Sequence, residues 1–279
     1  MALPRIPGFL LLQSLGGGPM TAVYEAREQT TGAPCAIKVL RDEWEDQLTG
    51  VKLLQREARA GLVVQHPHLV RVTHAHVLHA PYFLVMDLLA GESLRRRLQR
   101  DYSLPVADAI WIARQTAEAL AALHQAGFLH GDIKPDNVRL VESGRALLTD
   151  LGFAHRPGEN ASFLRAGYVL GTANYLAPEL CGDTPTEDFS SDLFSLGVML
   201  FEMLTGRLPY PPGSLRQTFR RHRCDPPARL TGPFPPVLVQ LVERLLAHRA
   251  ADRPRALSVV QQLVSAEIQA LRLGTRRAA

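Results

Sequence analysis

Residues 130–137 read His130-Gly131-Asp132-Ile133-Lys134-Pro135-Asp136-Asn137, which puts a carboxylate, an ammonium and a carboxamide within one short loop. A tight loop can aim Asp132, Lys134 and Asn137 at a shared centre. That set suits phosphoryl transfer: a carboxylate lines up the attacking hydroxyl, a cation offsets charge on the moving group, and an amide oxygen helps to hold a metal ion. A solvated turn rich in Asp, Asn, Lys and Pro is the plain alternative, and these residues alone leave the two readings level.

Other polar residues stand where apolar ones are expected. Cys35-Ala36-Ile37-Lys38-Val39-Leu40 has the pattern of a strand covered on both faces, so Lys38 must find an anion or reach out to water. Glu57 interrupts the helical stripe Leu54, Gly61, Val64, and becomes a partner for Lys38 if that stripe packs on the sheet; for either residue in isolation, simple exposure is the default. Asp150 ends a short strand, Ala146–Thr149, on the turn Asp150-Leu151-Gly152. With Asn137 it can form an oxygen site for a hard ion such as Mg²⁺. Gly16-Gly17-Gly18 tips a hairpin whose backbone N–H groups can approach phosphate oxygens, although a lone glycine cluster is more often a plain flexible turn.

The elements that must position these groups follow in order. Strands are expected at Phe9–Leu15, Ala22–Ala26, Cys35–Leu40, Leu69–Val72 and Tyr82–Met86, with a helix over about 47–65. From Asp87 to Glu92 the pattern breaks, and nearly everything beyond is helical. A ligand cleft between a sheet-rich and a helical lobe would be lined by this connector. The run Ile110–Leu123 leads to Gly127, a helix-ending residue just ahead of the charged loop. A loop from Phe153 to Leu170 lacks periodicity and is long enough to be functional. Leu193–Leu204 is an apolar, central helix with N-cap candidates Ser190, Ser191 and Asp192 and a stop at Gly206. Two last helices cover about 236–246 and 257–273. No internal repeat occurs.

Composition narrows the class. The 279 residues, 46% hydrophobic and 21% charged, describe a soluble globular chain with room for one large domain or two lobes. The net charge of +4 is spread along the sequence without an extended basic face carrying aromatics, which argues against nucleic acid. Clusters at Arg95, Arg96, Arg97 and Arg100 and at Arg216, Arg220, Arg221 and Arg223 read first as solvated helix faces. Three cysteines without metal-type spacing fit a reducing compartment. Without a signal-peptide core or an apolar run long enough to span a bilayer, a cytoplasmic location with no membrane segment is expected, although the tail 272–279 could be the trimmed stub of a longer protein.

Taken together, and in this order along the chain, the motifs resemble the eukaryotic-like (Hanks-type) protein serine/threonine kinases that bacteria carry. The resemblance implies an α+β, two-lobed protein kinase fold: a small antiparallel-sheet N-lobe (9–86) with one main helix, a hinge (87–91), and a larger, mostly helical C-lobe (92–271). An extension (1–8) and a basic tail (272–279) flank this domain. It implies ATP with Mg²⁺, or Mn²⁺ in its place, and protein partners bearing Ser or Thr; the oligomeric state stays open. Gly16, Gly17 and Gly18 would cover the phosphates, with Val23 and Ala36 lining the nucleotide site. Lys38 would hold the α/β-phosphates, oriented by Glu57. Met86, the backbone of Asp87 and Leu89, and Glu92 would meet adenine and ribose. Asp132 would be the base and Lys134 would contact the γ-phosphate, with Asn137 and Asp150 on the metal. Thr172 would hydrogen-bond near Asp132 and Lys134, Glu179 would pair with Arg253, and Asp192 would anchor the catalytic loop.

Four positions depart from the family pattern. Thr21 replaces a third loop glycine, a strain of roughly 1–2 kcal/mol if positive φ is needed there. Gly131 replaces an arginine that reads out a loop phosphate, which implies little dependence on loop phosphorylation. Leu151 replaces Phe. Arg139 stands where an apolar residue floors the adenine pocket, a task its methylene stem can do. Two rival functions follow from the same residues. A small-molecule phosphotransferase would lack Ala177-Pro178-Glu179 and the Ser191-Asp192 helix start, and a pseudokinase scaffold would have lost Lys38, Asp132 or Asp150; all are present.

Overall fold

The computed structural model describes residues 3–165 and 167–277, with side chains described through residue 271. Strands β1 (Phe9–Gly17), β2 (Thr21–Glu28) and β3 (Pro34–Leu40) are antiparallel neighbours. A single turn, α1 (Asp42–Glu45), and helix α2 (Leu48–Val63) precede β4 (Val72–His76) and β5 (Phe83–Met86). The five strands form one sheet in the order β1-β2-β3-β5-β4. β3 is central, and Cys35 to Leu40 are all buried, as a strand covered on both faces requires. Ile37 and Val39 pack with Leu11, Phe83 and Val85 on the outer face. Leu40, on the other face, packs with Leu54 and Ala58 of α2. Lys38 shares the side of the pleat that Leu40 occupies, which turns it toward α2 and the second lobe.

The rest of the chain builds a helical lobe. β6 (Gly91–Ser93), α3 (Leu94–Asp101) and α4 (Val106–Gln125) are followed by β7 (Val138–Val141) and β8 (Ala146–Leu148), which join β6 in a three-stranded sheet. α5 (Ala161–Arg165), α6 (Phe189–Thr205), α7 (Leu215–Cys224), α8 (Pro236–Leu245) and α9 (Ala256–Arg277) complete the lobe. α6 is its centre. Its residues from Leu196 to Leu204 are all buried, α4 and α8 pack against it, and α9 packs in turn on α4 and α8. The two-lobed architecture expected from the sequence is the one observed.

Several boundaries differ from the sequence reading. Leu69 and Val70 do not open β4; Leu69 makes a parallel bridge to Leu148, and Val70 N–H donates to the Leu148 carbonyl at 2.8 Å while Leu148 N–H donates to the His68 carbonyl at 2.8 Å. The turn at His66-Pro67-His68 delivers this run to the small sheet of the other lobe, and β4 begins three residues later. α6 starts before its expected caps. Asp188 is the N-cap, accepting from Ser190 N–H at 2.9 Å, and its own N–H donates to Ser191 Oγ at 3.3 Å. α3 and α7 fall on the two arginine clusters read as solvated helix faces; their bounds were not legible, because their arginine-rich turns leave few apolar positions for a stripe, Leu94 and Leu98 in α3. The tail expected at 272–279 is helical in backbone as far as Arg277, and the rest of that expectation lies outside the described residues. Among the described residues no helix is long and apolar enough to cross a membrane.

Candidate active site

A cleft of about 480 Å³ opens between the lobes, within the range of small-molecule sites. Gly16, Gly17 and Gly18 roof it, Val23 and Ala36 line its upper wall, and Met86, Asp87 and Leu89 form its back. Lys38 and Glu57 from the sheet lobe face Lys134, Asn137 and Asp150 from the helical lobe. Gly17 has φ +150°, and a Cβ there would stand 2.4 Å from the Thr21 carbonyl oxygen, so the turn closes only around glycine. Thr21 itself is not among the positive-φ residues, so the strain anticipated there does not arise.

Lys38 sits between two carboxylates. Its Nζ donates to Glu57 Oε1 at 2.9 Å and to Asp150 Oδ1 at 2.7 Å. Burial pulls the ammonium toward neutrality, but the Asp150 and Glu57 charges outweigh it and raise its pKa above the ordinary lysine range. The Lys38 charge in turn holds Asp150 down to about 2. Glu57, more deeply buried, is pushed up by desolvation despite the pull of Lys38. Asp150 is delivered by an unusual backbone, with φ +61° and its Oδ1 accepting from Gly152 N–H at 3.3 Å.

Asp132 is buried and fully engaged. Thr172 Oγ1 donates to its Oδ1 at 2.7 Å, Lys134 Nζ lies 2.7 Å from its Oδ2, and Asn137 Nδ2 donates to that same oxygen at 3.0 Å. Lys134 Nζ also donates to Thr172 Oγ1 at 2.7 Å, closing a ring of three contacts. The loop bearing them hangs from α6: Asp192 accepts from the N–H groups of His130 and Gly131 at 2.8 and 2.9 Å and contacts His124 Nε2 at 2.9 Å. Burial works to raise the Asp192 pKa, but His124 and the backbone donor outweigh it and leave it below the usual carboxylate value. Gly131 has φ +80°, and a Cβ there would lie 2.9 Å from the Phe153 carbonyl oxygen. Lower in the lobe, Arg253 pairs bidentately with Glu179 at 2.7 and 2.8 Å.

The oxygen donors suit a hard cation. Asn137 commits its Nδ2 to Asp132, so its amide oxygen is the atom it could offer a cation beside Asp150, both residues lining the cleft, and two protein oxygens are few enough to require phosphate oxygens as well. Not every expected contact converges. Glu92 lies outside the cleft lining, bound at 3.0 Å by Arg100. Arg139 does line the cleft, but its head turns to the carbonyls of Leu89 and Gly91 at 3.3 and 2.7 Å, leaving its stem as the floor. The sequence reading missed Leu15, Val70 and Thr149 in the lining; their strand character was visible, their facing was not. Arg95, read from the sequence as part of a solvated helix face, instead turns inward and joins Glu202 Oε1 at 2.7 Å, Tyr175 Oη at 2.5 Å and Asp136 Oδ2 at 3.2 Å beneath the loop.

Comparison with known proteins adds an independent finding. Residues 9–264 match the family described as protein kinase domain. The serine/threonine-protein kinase PknD of Mycobacterium tuberculosis is 34% identical over 250 residues, covering 88% of this chain and 37% of PknD. The kinase pkn2 of Myxococcus xanthus is 35% identical over 273 residues, covering 94% of this chain and 33% of pkn2. PkaA of Streptomyces coelicolor is 34% identical over 269 residues, 91% of this chain and 49% of PkaA. The chain thus spans about a third to a half of the length of these relatives.

Proposed function

This chain belongs to the protein kinase domain family, and we propose that it transfers the γ-phosphoryl group of ATP to serine or threonine hydroxyls of proteins. The observation that carries this reading is the 2.7 Å contact between Lys38 and Asp150, which draws groups from both lobes to one point in a cleft of nucleotide size. In the proposed reaction Asp132 orients the acceptor hydroxyl and takes its proton as the new O–P bond forms and the bond to the departing ADP breaks. Lys134 offsets charge on the moving group. Lys38, steadied by Glu57, receives the α/β-phosphates, and the backbone of Gly16–Gly18 covers them. Asn137 and Asp150 are the residues that would hold Mg²⁺, which when bound neutralises phosphate charge. The hinge backbone at Asp87 and Leu89 receives adenine beside Met86, and Glu92, tied to Arg100, is left out of the nucleotide contacts. Lys134-Pro135, and Gly171-Thr172 before Tyr175, resemble the serine/threonine rather than the tyrosine form of the family, and the Lys134–Thr172 hydrogen bond supports that reading.

Purified protein with labelled ATP, Mg²⁺ and a generic basic protein should yield phosphoserine or phosphothreonine, and Asp132→Asn should lower the rate about 10²–10⁴-fold. No transfer by the wild type, equal transfer by the variant, or preference for an aminoglycoside acceptor would overturn the assignment.

The reading includes a loop that works without phosphate. Gly131 offers no guanidinium to read one, and Ser162, Tyr168 and Thr172 are the hydroxyl-bearing residues between Phe153 and Thr172. Ser162→Ala should keep its rate within about twofold of wild type. Complete loss, restored by Ser162→Glu, is the contrary result.

A further inference from the structure

The loop after Asp150 is fastened to α2 by charge. Arg59 Nη2 donates to both carboxylate oxygens of Glu159, at 2.7 and 2.6 Å, and Glu159 Oε2 also accepts from Arg156 N–H at 3.0 Å. Nearly one turn earlier on α2, Arg56 donates to Asn160 Oδ1 at 2.6 Å and to the Glu159 carbonyl at 3.0 Å, with its guanidinium 5.7 Å from the centre of the Phe163 ring. Asn160 is 2% exposed and donates onward to Glu187 Oε1 at 3.0 Å. Glu187 Oε2 in turn lies 2.9 Å from His155 Nε2.

Arg56 and Arg59 flank Glu57, the residue that meets Lys38. The three ride on one rigid helix. Any rotation or withdrawal of α2 that takes Glu57 off Lys38 therefore also strips Arg56 and Arg59 from the loop, so the loop contacts bias the helix toward the position in which the pair is made. One exposed ion pair would add little, about 0–1 kcal/mol. Here a bidentate carboxylate, a buried amide, a main-chain carbonyl and a ring act on two neighbouring arginines, and contacts within one network couple.

We propose that Glu159 and Asn160 are positioning residues: they latch the loop to α2 where Glu57 meets Lys38, so that a built-in carboxylate does at Arg59 what an added phosphate would otherwise have to do. The proposal rests on the kinase reading above for its effect on rate, but the latch itself is a property of the helix.

The test is a charge exchange between Arg59 and Glu159, read by phosphoryl transfer and by hydrogen exchange of the α2 amides. Arg59→Glu and Glu159→Arg should each lower kcat about tenfold and speed α2 exchange, with KM for the acceptor little changed. Combining them should recover most of both losses, which a merely structural role for either side chain would not do. Glu159→Gln, which keeps the size and removes the charge, should lose about threefold. Single variants within twofold of wild type in both readouts, or a combined variant as impaired as the two losses multiplied, overturn the proposal. A wild type that transfers no phosphate overturns the kinase reading, and the exchange readout still decides the latch.

Discussion

A single ammonium facing two carboxylates makes an asymmetric arrangement. The Glu57 side chain is 4% exposed and that of Asp150 is 48% exposed, so Asp150 can trade Lys38 for other partners at little cost in solvation while Glu57 cannot. In the proposed site, Glu57 would therefore hold the orientation of Lys38 when phosphate oxygens compete for it. His155 poses a different balance. Its Nδ1 lies 2.7 Å from the Phe153 carbonyl, and its Nε2 stands 2.9 Å from the Glu187 carboxylate without the alignment of a hydrogen bond, so the gain on protonation is chiefly the charge facing Glu187. Burial lowers its pKa, but Glu187, the Phe153 carbonyl and the charge of Asp192 outweigh that and raise it above the ordinary histidine value. Its contribution to stability is therefore fully present below the unfolded value of about 6.5 and is lost as pH rises through the folded one. Thermal melts across that window should fall with pH more steeply for the wild type than for His155→Gln, and parallel curves would disprove the assignment. Lys38 was legible in the sequence as a lone cation in a strand buried on both faces, which must find an anion or reach water, and the structure decides for the anion. His155 was not, since its partner lies far along the chain and no pattern links them.

At the scale of elements, the turn at Gly131 carries the most exposed wager. Its φ of +80° and the 2.9 Å approach to the Phe153 carbonyl mean that Gly131→Ala should cost about 1–2 kcal/mol by urea unfolding, with the loss centred on the catalytic loop and the turn after Asp150. A variant as stable as wild type would show that the loop shifts without strain. Strongly periodic elements were readable. α4 and α6 were both found because apolar residues recur around them, and Gly206, at φ +70°, ends α6 as expected. What could not be read were choices settled by distant contacts: the handover of Leu69 and Val70 to β8, the displacement of the α6 cap to Asp188, and the short α5 inside the loop.

For the whole molecule, the division into a sheet lobe and a helical lobe followed from the change of pattern after Met86, and the cores follow it. One apolar cluster lies on the outer face of the large sheet, a second lies between that sheet and α2, and the largest surrounds α6. Among the described residues no group of three or more His, Cys, Asp or Glu could hold a metal by itself. Mg²⁺ alone should therefore barely move the melting temperature, whereas Mg²⁺ with ATP at a hundredfold excess over Kd should raise it by about 5 °C. An equal rise with the ion alone would contradict a site completed by phosphate. The paired backbone bonds that tie His68 and Val70 to Leu148 have a mechanical consequence. Together with the chain crossing that follows Met86 they give the two lobes a second fixed connection, and in the proposed reaction that line would serve as an axle. Lys38, out on the lever arm, would then travel an arc toward or away from Asp150, so that in this reading nucleotide entry and the making of that contact would be phases of one rotation.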